Sequence, residues 1–269
     1  MPDELWERIE PILARHYPRA STGRPRSDLR LVLDAIIYRL RSGVQWNRLP
    51  REFGPDSTVH HWFQRFVADG VLREIWAELV CECDELGAVS WEWQAADGVM
   101  GKSRFEGGAR GPNPTDRAKP GTKKSVIVEQ AGGPLGVAIA AANVHDTKLL
   151  QATIDAIVAE RPDPTDVVQH LCLDKAYDNP TGEAACAAGG YVAHIRRIGE
   201  EKLDGWGHKT HPARRWVVER TLAWLQRCRA ILIRYDKKPA NYEGLVQLAC
   251  GLLWYRRLHR LNHPDRVLG

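Results

Sequence analysis

Val167-Val168-Gln169-His170-Leu171-Cys172-Leu173-Asp174 reads as a short, largely apolar strand that ends on a carboxylate. Upstream, Val89-Ser90-Trp91-Glu92-Trp93-Gln94-Ala95-Ala96-Asp97 ends in the same way. Downstream, Glu219 lies inside Arg214-Arg215-Trp216-Val217-Val218-Glu219-Arg220-Thr221-Leu222-Ala223-Trp224-Leu225, whose apolar residues recur at helical spacing. Two strands and a helix that each deliver an acid supply what a pair of magnesium ions needs for in-line chemistry at a phosphodiester. Asp97, Asp174 and Glu219 are therefore the candidate catalytic and metal-ligating residues.

The surrounding pattern decides whether these acids can meet. Lys124 to Gln130 reads as a second strand, Ala131-Gly132-Gly133-Pro134 as a hairpin turn, and Leu135 to Ala142 as a third strand. Thr147 to Glu160 follows as a helix, then the Asp174 strand, a helix around Gly182 to Ala188, and Tyr191-Val192-Ala193-His194-Ile195 as a fifth strand. A polar loop, Gly199 to Thr210, leads to the Glu219 helix, and an apolar helix from Tyr242 to Leu258 closes the domain. This is the connectivity of an α/β ribonuclease H-like fold: a central mixed five-stranded sheet flanked by helices. There the first and fourth strands are neighbours, which would set Asp97 beside Asp174, and the last helix can supply Glu219.

The first stretch, residues 1–86, reads as all helix. Leu5, Trp6, Ile9, Ile12 and Leu13 share one face of the opening helix, and Gly23-Arg24-Pro25-Arg26 is a basic break. Asp28 caps a helix that stops at Ser42-Gly43. Ser57 or Thr58 caps the next, Val59-His60-His61-Trp62-Phe63-Gln64-Arg65-Phe66, and a further helix runs from about Val71 to Leu86. Helix, turn and short capped helix have the layout of a helix-turn-helix, with a plain helical bundle as the rival reading. The expected division is a helical DNA-binding domain, 1–86, and a catalytic domain, 87–269.

Composition sets outer limits. The 269 residues carry a formal charge of +4, too mild to name a partner. The cations crowd into Lys102 to Lys124 and Arg196 to Lys238, two stretches that flank the acids, as a phosphate backbone over metal ions would require. None of the six cysteines forms a Cys-x-x-Cys pair, which argues against a zinc site and for reduced core thiols. No secretory signal opens the chain, and no apolar run approaches the ~20 residues a membrane span needs. A cytoplasmic protein with no membrane partner is expected.

Several short motifs then carry a specific resemblance. They are Gly43-Val44-Gln45-Trp46-Asn47-Arg48-Leu49-Pro50, Gly111-Pro112-Asn113-Pro114-Thr115-Asp116-Arg117, Lys119-Pro120-Gly121-Thr122-Lys123, Ala142-Asn143-Val144-His145-Asp146-Thr147-Lys148, Asp174-Lys175-Ala176-Tyr177-Asp178 and Val218-Glu219-Arg220. In order and spacing the chain resembles, over nearly its whole length, the transposases of the IS5 family of bacterial insertion sequences, within the IS4-type group of DDE transposases. The resemblance implies Asp97, Asp174 and Glu219 as the DDE acids, two Mg2+ ions per site with Mn2+ as a substitute, and double-stranded DNA as partner. That DNA comprises the element's terminal inverted repeats and the target, bound by a homo-oligomer at the nucleoid. The candidate DNA contacts are Arg215, Arg220, Arg227, Lys123, Lys124, His60, His61, Gln64 and Arg65. In the family's Tyr-Arg-Glu-Lys signature Arg215 matches, while Pro212 and Gln226 do not. The family's first acid often precedes Ser or Thr, and here it precedes Gly98.

Rival readings attach to single residues. Asp178 is a decoy for the second acid and is read instead as the cap of the helix starting near Asn179-Pro180. Asp146 is read as the N-cap of the following helix, and Trp216 and Trp224 as core rather than as stacking platforms. Lys102 to Lys124 reads as a loop that could order on DNA. For the whole chain, the alternatives are a decayed or domesticated DNA-binding descendant of a transposase and a structure-selective nuclease.

Overall fold

A computed structural model describes residues 1–19, 22, 26–195 and 216–264. The polar loop Gly199 to Thr210, Pro212, Arg215 and most of the Gly23–Arg26 break lie outside the described residues. Two compact units divide the chain: residues 84–101 with 109–224, and residues 1–83 with 102–108 and 225–269.

The first of these units is built on a sheet. Its strands are β1 (Trp93–Ser103), β2 (Gly111–Pro112), β3 (Pro120–Glu129), β4 (Pro134–Ala141), β5 (Gln169–Leu173) and β6 (Tyr191–Ile195). β1 lies between β3 and β5, β4 continues the sheet beyond β3, and β6 continues it beyond β5. β3 and β4 pair antiparallel, whereas β1–β5 and β5–β6 are parallel. Apart from the two-residue β2, that is the ribonuclease H-like strand order, with the first and fourth main strands adjacent.

Buried amides hold the parallel register. Gln94 on β1 donates to Gln169 on β5 at 3.2 Å and accepts from the Tyr191 hydroxyl of β6 at 2.6 Å. Gln169 in turn donates to the Pro162 carbonyl and accepts from Arg161. Sliding one strand by a residue would strand these buried polar groups, at about 1–3 kcal/mol each. α5 (Asp146–Asp155) covers the sheet, and its Thr153 hydroxyl donates to Ser125 Oγ of β3 at 2.7 Å in a fully buried contact. α6 (Pro180–Ala188) connects β5 to β6, and α7 (Trp216–Gln226) follows.

The other unit is helical: α1 (Asp3–His16), α2 (Leu29–Ser42), α3 (Asp56–Ala68), α4 (Val71–Glu85), the short α8 (Arg229–Leu232), β7 (Ile233–Arg234) and the long α9 (Pro239–Asn262). Asp28 caps α2 as expected, accepting from Arg30 and Leu31 N–H, and Gly43 ends it at φ 70°. That glycine is required twice, because a Cβ there would also lie 2.8 Å from Arg229 Cβ. α3 begins one or two residues earlier than the sequence suggests. Pro55 precedes it without a side-chain cap, so neither Ser57 nor Thr58 has the capping role.

The division at 86/87 differs from this grouping, because the C-terminal helix packs with the N-terminal ones. Gly244 of α9 lies against Val67 and Leu72, and Gly251 against Trp76. A buried ion pair, Arg39–Asp236 at 3.3 Å, adds a polar link. Residues 102–124 are likewise not one loop: they include the end of β1, all of β2 and the first half of β3. The described cysteines are all unbridged, and Cys83, Cys172, Cys186 and Cys250 are buried, as core thiols should be. Among the described residues no helix is long and apolar enough to cross a membrane.

Candidate active site

The parallel pairing of β1 and β5 brings two acids to one place. Trp93, Gln94 and Ala95 face His170, Leu171 and Cys172, and two residues beyond the last pair stand Asp97 and Asp174. Equal steps of two keep both on the same side of the sheet as Ala95 and Cys172, on strands roughly 4.8 Å apart. Asp97 is not at a strand end as the sequence suggested, since β1 runs on to Ser103. Its Oδ1 accepts from the Gly98 N–H at 2.7 Å. Asp174 immediately follows β5 and caps a single 3-10 turn, Lys175–Tyr177, by accepting from Ala176 N–H at 2.8 Å.

That turn folds Tyr177 back into the protein, where it is fully buried. Its hydroxyl has no hydrogen-bond partner among the described residues. Burial raises its pKa, and the charges of Asp146, Asp97 and Asp174 raise it further. The phenol therefore lies in the field of three carboxylates.

Asp146 is the third of these, and it is not the helix cap. His145 has that place, its Nδ1 accepting from Thr147 N–H. Asp146 Oδ2 instead receives Lys123 Nζ at 2.9 Å, and Lys123 also donates to the Val144 carbonyl at 2.8 Å. Asp146 Oδ1 is buried without a hydrogen-bond partner among the described residues. A Cβ built on Gly98 would fall 2.3 Å from that oxygen. The glycine after the first acid thus makes room for a fourth-element carboxylate, which accounts for the departure from Ser or Thr at this position.

Glu219 is placed differently. It is exposed in the first turn of α7. The helix is fixed to the β3–β4 turn by Arg220, which donates to the Ala131 carbonyl, and by Thr221, which donates to Gly132, each at 2.6 Å. Val217, Val218, Leu222 and Leu225 are buried beneath it. Among the described residues, the His, Cys, Asp and Glu group whose ligand atoms all lie within 4.8 Å is Glu4 with His259 and His263; Asp97, Asp174 and Glu219 do not converge to that degree.

The expected DNA contacts divide sharply. Lys123 and Lys124 are corrected by the structure. Lys123 is 5% exposed and spent on Asp146, and Lys124 is 0% exposed, its pKa lowered by burial to about 8. Neither presents an ammonium at the surface. Arg220 is half-buried, turned to the β3–β4 turn and stacked over Trp216 and Trp224. Arg227 is exposed, and Arg215 lies outside the described residues. On α3, His61 and Arg65 are exposed, while His60 stacks on Trp46 and meets the Gln64 amide at 3.0 Å. Trp216 is 55% exposed and so is not core. Asp178 is no helix cap either, because Asn179 accepts from Gly182 N–H at the start of α6.

Sequence reading passed over Tyr177 and gave Asp146 a capping role. The available signal was spacing: Tyr177 follows Asp174 by three, one tight turn. Together the described centre holds the carboxylates Asp97, Asp146 and Asp174, with Lys123 paired to Asp146. An all-oxygen donor set fits a hard divalent cation.

Comparison with known proteins accounts for both units. Residues 1–76 match a family model described as "Putative transposase of IS4/5 family (DUF4096)", and residues 91–254 match the model "Transposase DDE domain". A Burkholderia cepacia protein described as "Putative transposase for insertion sequence element IS402" is 34% identical over 155 residues, which cover 56% of this chain and 71% of the relative. An uncharacterized Sinorhizobium fredii protein, y4sN, is 34% identical over 100 residues, 36% of this chain and 72% of its own. Among solved structures, the Mos1 mariner paired end complex with Mn aligns over 94% of this chain and 85% of its own, at 11% identity and a TM-score of 0.29.

Proposed function

Since the chain belongs to the transposase DDE domain family, with an amino-terminal region of the IS4/5 type, we propose that it mobilises a bacterial insertion sequence. In this reading it binds the element's terminal inverted repeats, cuts the 3′ ends and joins them to target DNA. It works in the cytoplasm, at the nucleoid, as a homo-oligomer on double-stranded DNA. The observation that carries the reading is the β1–β5 register, which sets Asp97 and Asp174 on adjacent parallel strands.

Asp97, Asp174 and Glu219 are the proposed catalytic acids. Asp97, Asp174 and Glu219 would together hold two Mg2+ ions, and Mn2+ would substitute. Such ions, when bound, activate the attacking water or 3′ hydroxyl and stabilise the leaving oxygen. The protein's own groups orient this centre. Lys123 of β3 holds Asp146 through the 2.9 Å ion pair. The buried Tyr177 hydroxyl is a donor in the field of these carboxylates, which repel one another. No Ser, Tyr or Cys nucleophile is needed. The N-terminal helices are the proposed reader of the repeats, with exposed His61 and Arg65 on α3 as the contacts still available.

The test is cleavage and joining of a plasmid that carries the gene's flanking DNA, in Mg2+ or Mn2+. Wild type is compared with Asp97→Asn, Asp174→Asn and Glu219→Gln. Metal-dependent 3′-end release is expected for wild type alone, with DNA binding kept by all four. End binding without cleavage in any of them would favour the decayed DNA-binding descendant. Activity in Glu219→Gln would remove Glu219 from the site.

A further inference from the structure

We propose that Glu4, His259 and His263 form a second metal site, of the two-imidazole, one-carboxylate kind, for a first-row divalent transition metal such as zinc. The proposal is independent of the catalytic reading, since all three residues belong to the helical unit. His259 stands in the last turn of α9 and His263 is the residue that ends it. Four residues apart, they occupy the same face. Glu4 comes from the first turn of α1.

The donor atoms already converge. Glu4 Oε2 lies 3.0 Å from His259 Nδ1, and Glu4 Oε1 lies 2.8 Å from His263 Nε2. All the ligand atoms fall within 4.8 Å of one another. Tetrahedral zinc, with bonds of about 2.0–2.1 Å, needs its ligand atoms about 3.4 Å apart. The two contacts use different oxygens of Glu4, so admitting the ion takes a rotation of that carboxylate and closure of the set from within 4.8 Å toward the tetrahedral spacing. His263 and Glu4 are 31% and 42% exposed, which leaves one side open for entry and for a water as fourth ligand.

A second observation points to that water. Tyr255, one turn before His259 on α9, is 5% exposed, and its hydroxyl has no hydrogen-bond partner among the described residues. Its ring centroid lies 6.1 Å from that of His259, and the charge of Glu4 acts on the phenol. A bound water beside the carboxylate would accept from this hydroxyl. Arg8, which also donates to the Glu4 backbone carbonyl, is held by both oxygens of Glu82 at 2.6 Å and so leaves the Glu4 carboxylate to the imidazoles. Two imidazoles select zinc, cobalt or nickel over magnesium, whereas the all-oxygen centre on the sheet has the opposite preference. The absence of paired cysteines does not bear on a site of this kind.

The experiment uses the full, untagged chain carrying Asp97→Asn, Asp174→Asn and Glu219→Gln together, stripped with chelator and titrated with Co2+. One equivalent should bind with the visible absorption of four-coordinate cobalt, and one equivalent of Zn2+ should displace it. Adding Glu4→Gln or His263→Asn should weaken Co2+ at least about tenfold without changing the circular dichroism. No visible band, or an affinity that neither substitution changes, would overturn the proposal.

Discussion

Two buried tyrosines stand next to carboxylates in this molecule, and their surroundings are opposite. Tyr177 feels the charges of Asp146, Asp97 and Asp174, and Lys123 pairs with the first of these at 2.9 Å. Tyr255 stands by Glu4, whose two oxygens are each taken by an imidazole nitrogen. Both hydroxyls lack a hydrogen-bond partner among the described residues. The difference lies in charge. The sheet centre gathers three carboxylates, an all-oxygen donor set that suits hard cations. In the helical cluster each oxygen of Glu4 already meets an imidazole nitrogen, so any metal there must compete with hydrogen bonds that already exist.

The largest effect should come from removing the compensating charge. Lys123 is 6% exposed at its side chain and Asp146 27%, so Lys123→Met leaves a partly buried carboxylate beside two more. Breaking a buried pair from one side costs roughly 3–5 kcal/mol, and the partial exposure of Asp146 reduces that to about 2–3. Denaturant unfolding without metal should register this loss. The matching substitution in the other cluster, His263→Asn, should leave the midpoint unchanged. Equal losses would erase the contrast.

A smaller effect tests the geometry alone. Gly98→Val pushes carbon into the space of Asp146 Oδ1. Either Asp146 leaves Lys123 or β1 shifts, and overpacking of this kind costs about 1–3 kcal/mol. Because the collision needs the Asp146 carboxylate, combining Gly98→Val with Asp146→Ala should cost clearly less than the sum of the two single losses. Additive losses in the double variant would mean that the two residues do not collide.

How much of this was readable follows the same division. The carboxylates after apolar strands, and the fold that pairs those strands, are legible because a buried parallel strand is a continuous apolar run that sequence displays directly. Where β1 ends is not, since Gly98-Val99-Met100-Gly101 has weak strand character and belongs to a strand held by pairing with β3, with β7 pairing only to Lys102 and Ser103. Lys123 and Lys124 look like surface cations in any linear reading. Only the pairing of β3 on both sides and the Asp146 carboxylate turn them inward. α9 advertises an apolar face, but nothing in its periodicity says that the face belongs on α3 and α4. The cap of α5 was misread by one residue, because His145 and Asp146 both suit the position and tertiary contact with Lys123 decides between them.

The smallest effect separates the two tyrosines themselves. A buried hydroxyl without a partner has lost its hydration for nothing, so deleting it should stabilise the metal-free protein. Tyr177→Phe should therefore raise stability by about 0.5–1 kcal/mol, and more than Tyr255→Phe, because Tyr177 is the more deeply buried and the more crowded by negative charge. Mg2+ should reverse the first result and not the second. If the Tyr177 hydroxyl orders the carboxylates around the ions, the rise in melting temperature on adding Mg2+ should be smaller in Tyr177→Phe than in wild type, and equal to wild type in Tyr255→Phe. A Tyr177→Phe protein that is less stable without metal would show that the hydroxyl has an acceptor of its own, and the two tyrosines would then differ in kind rather than in surroundings.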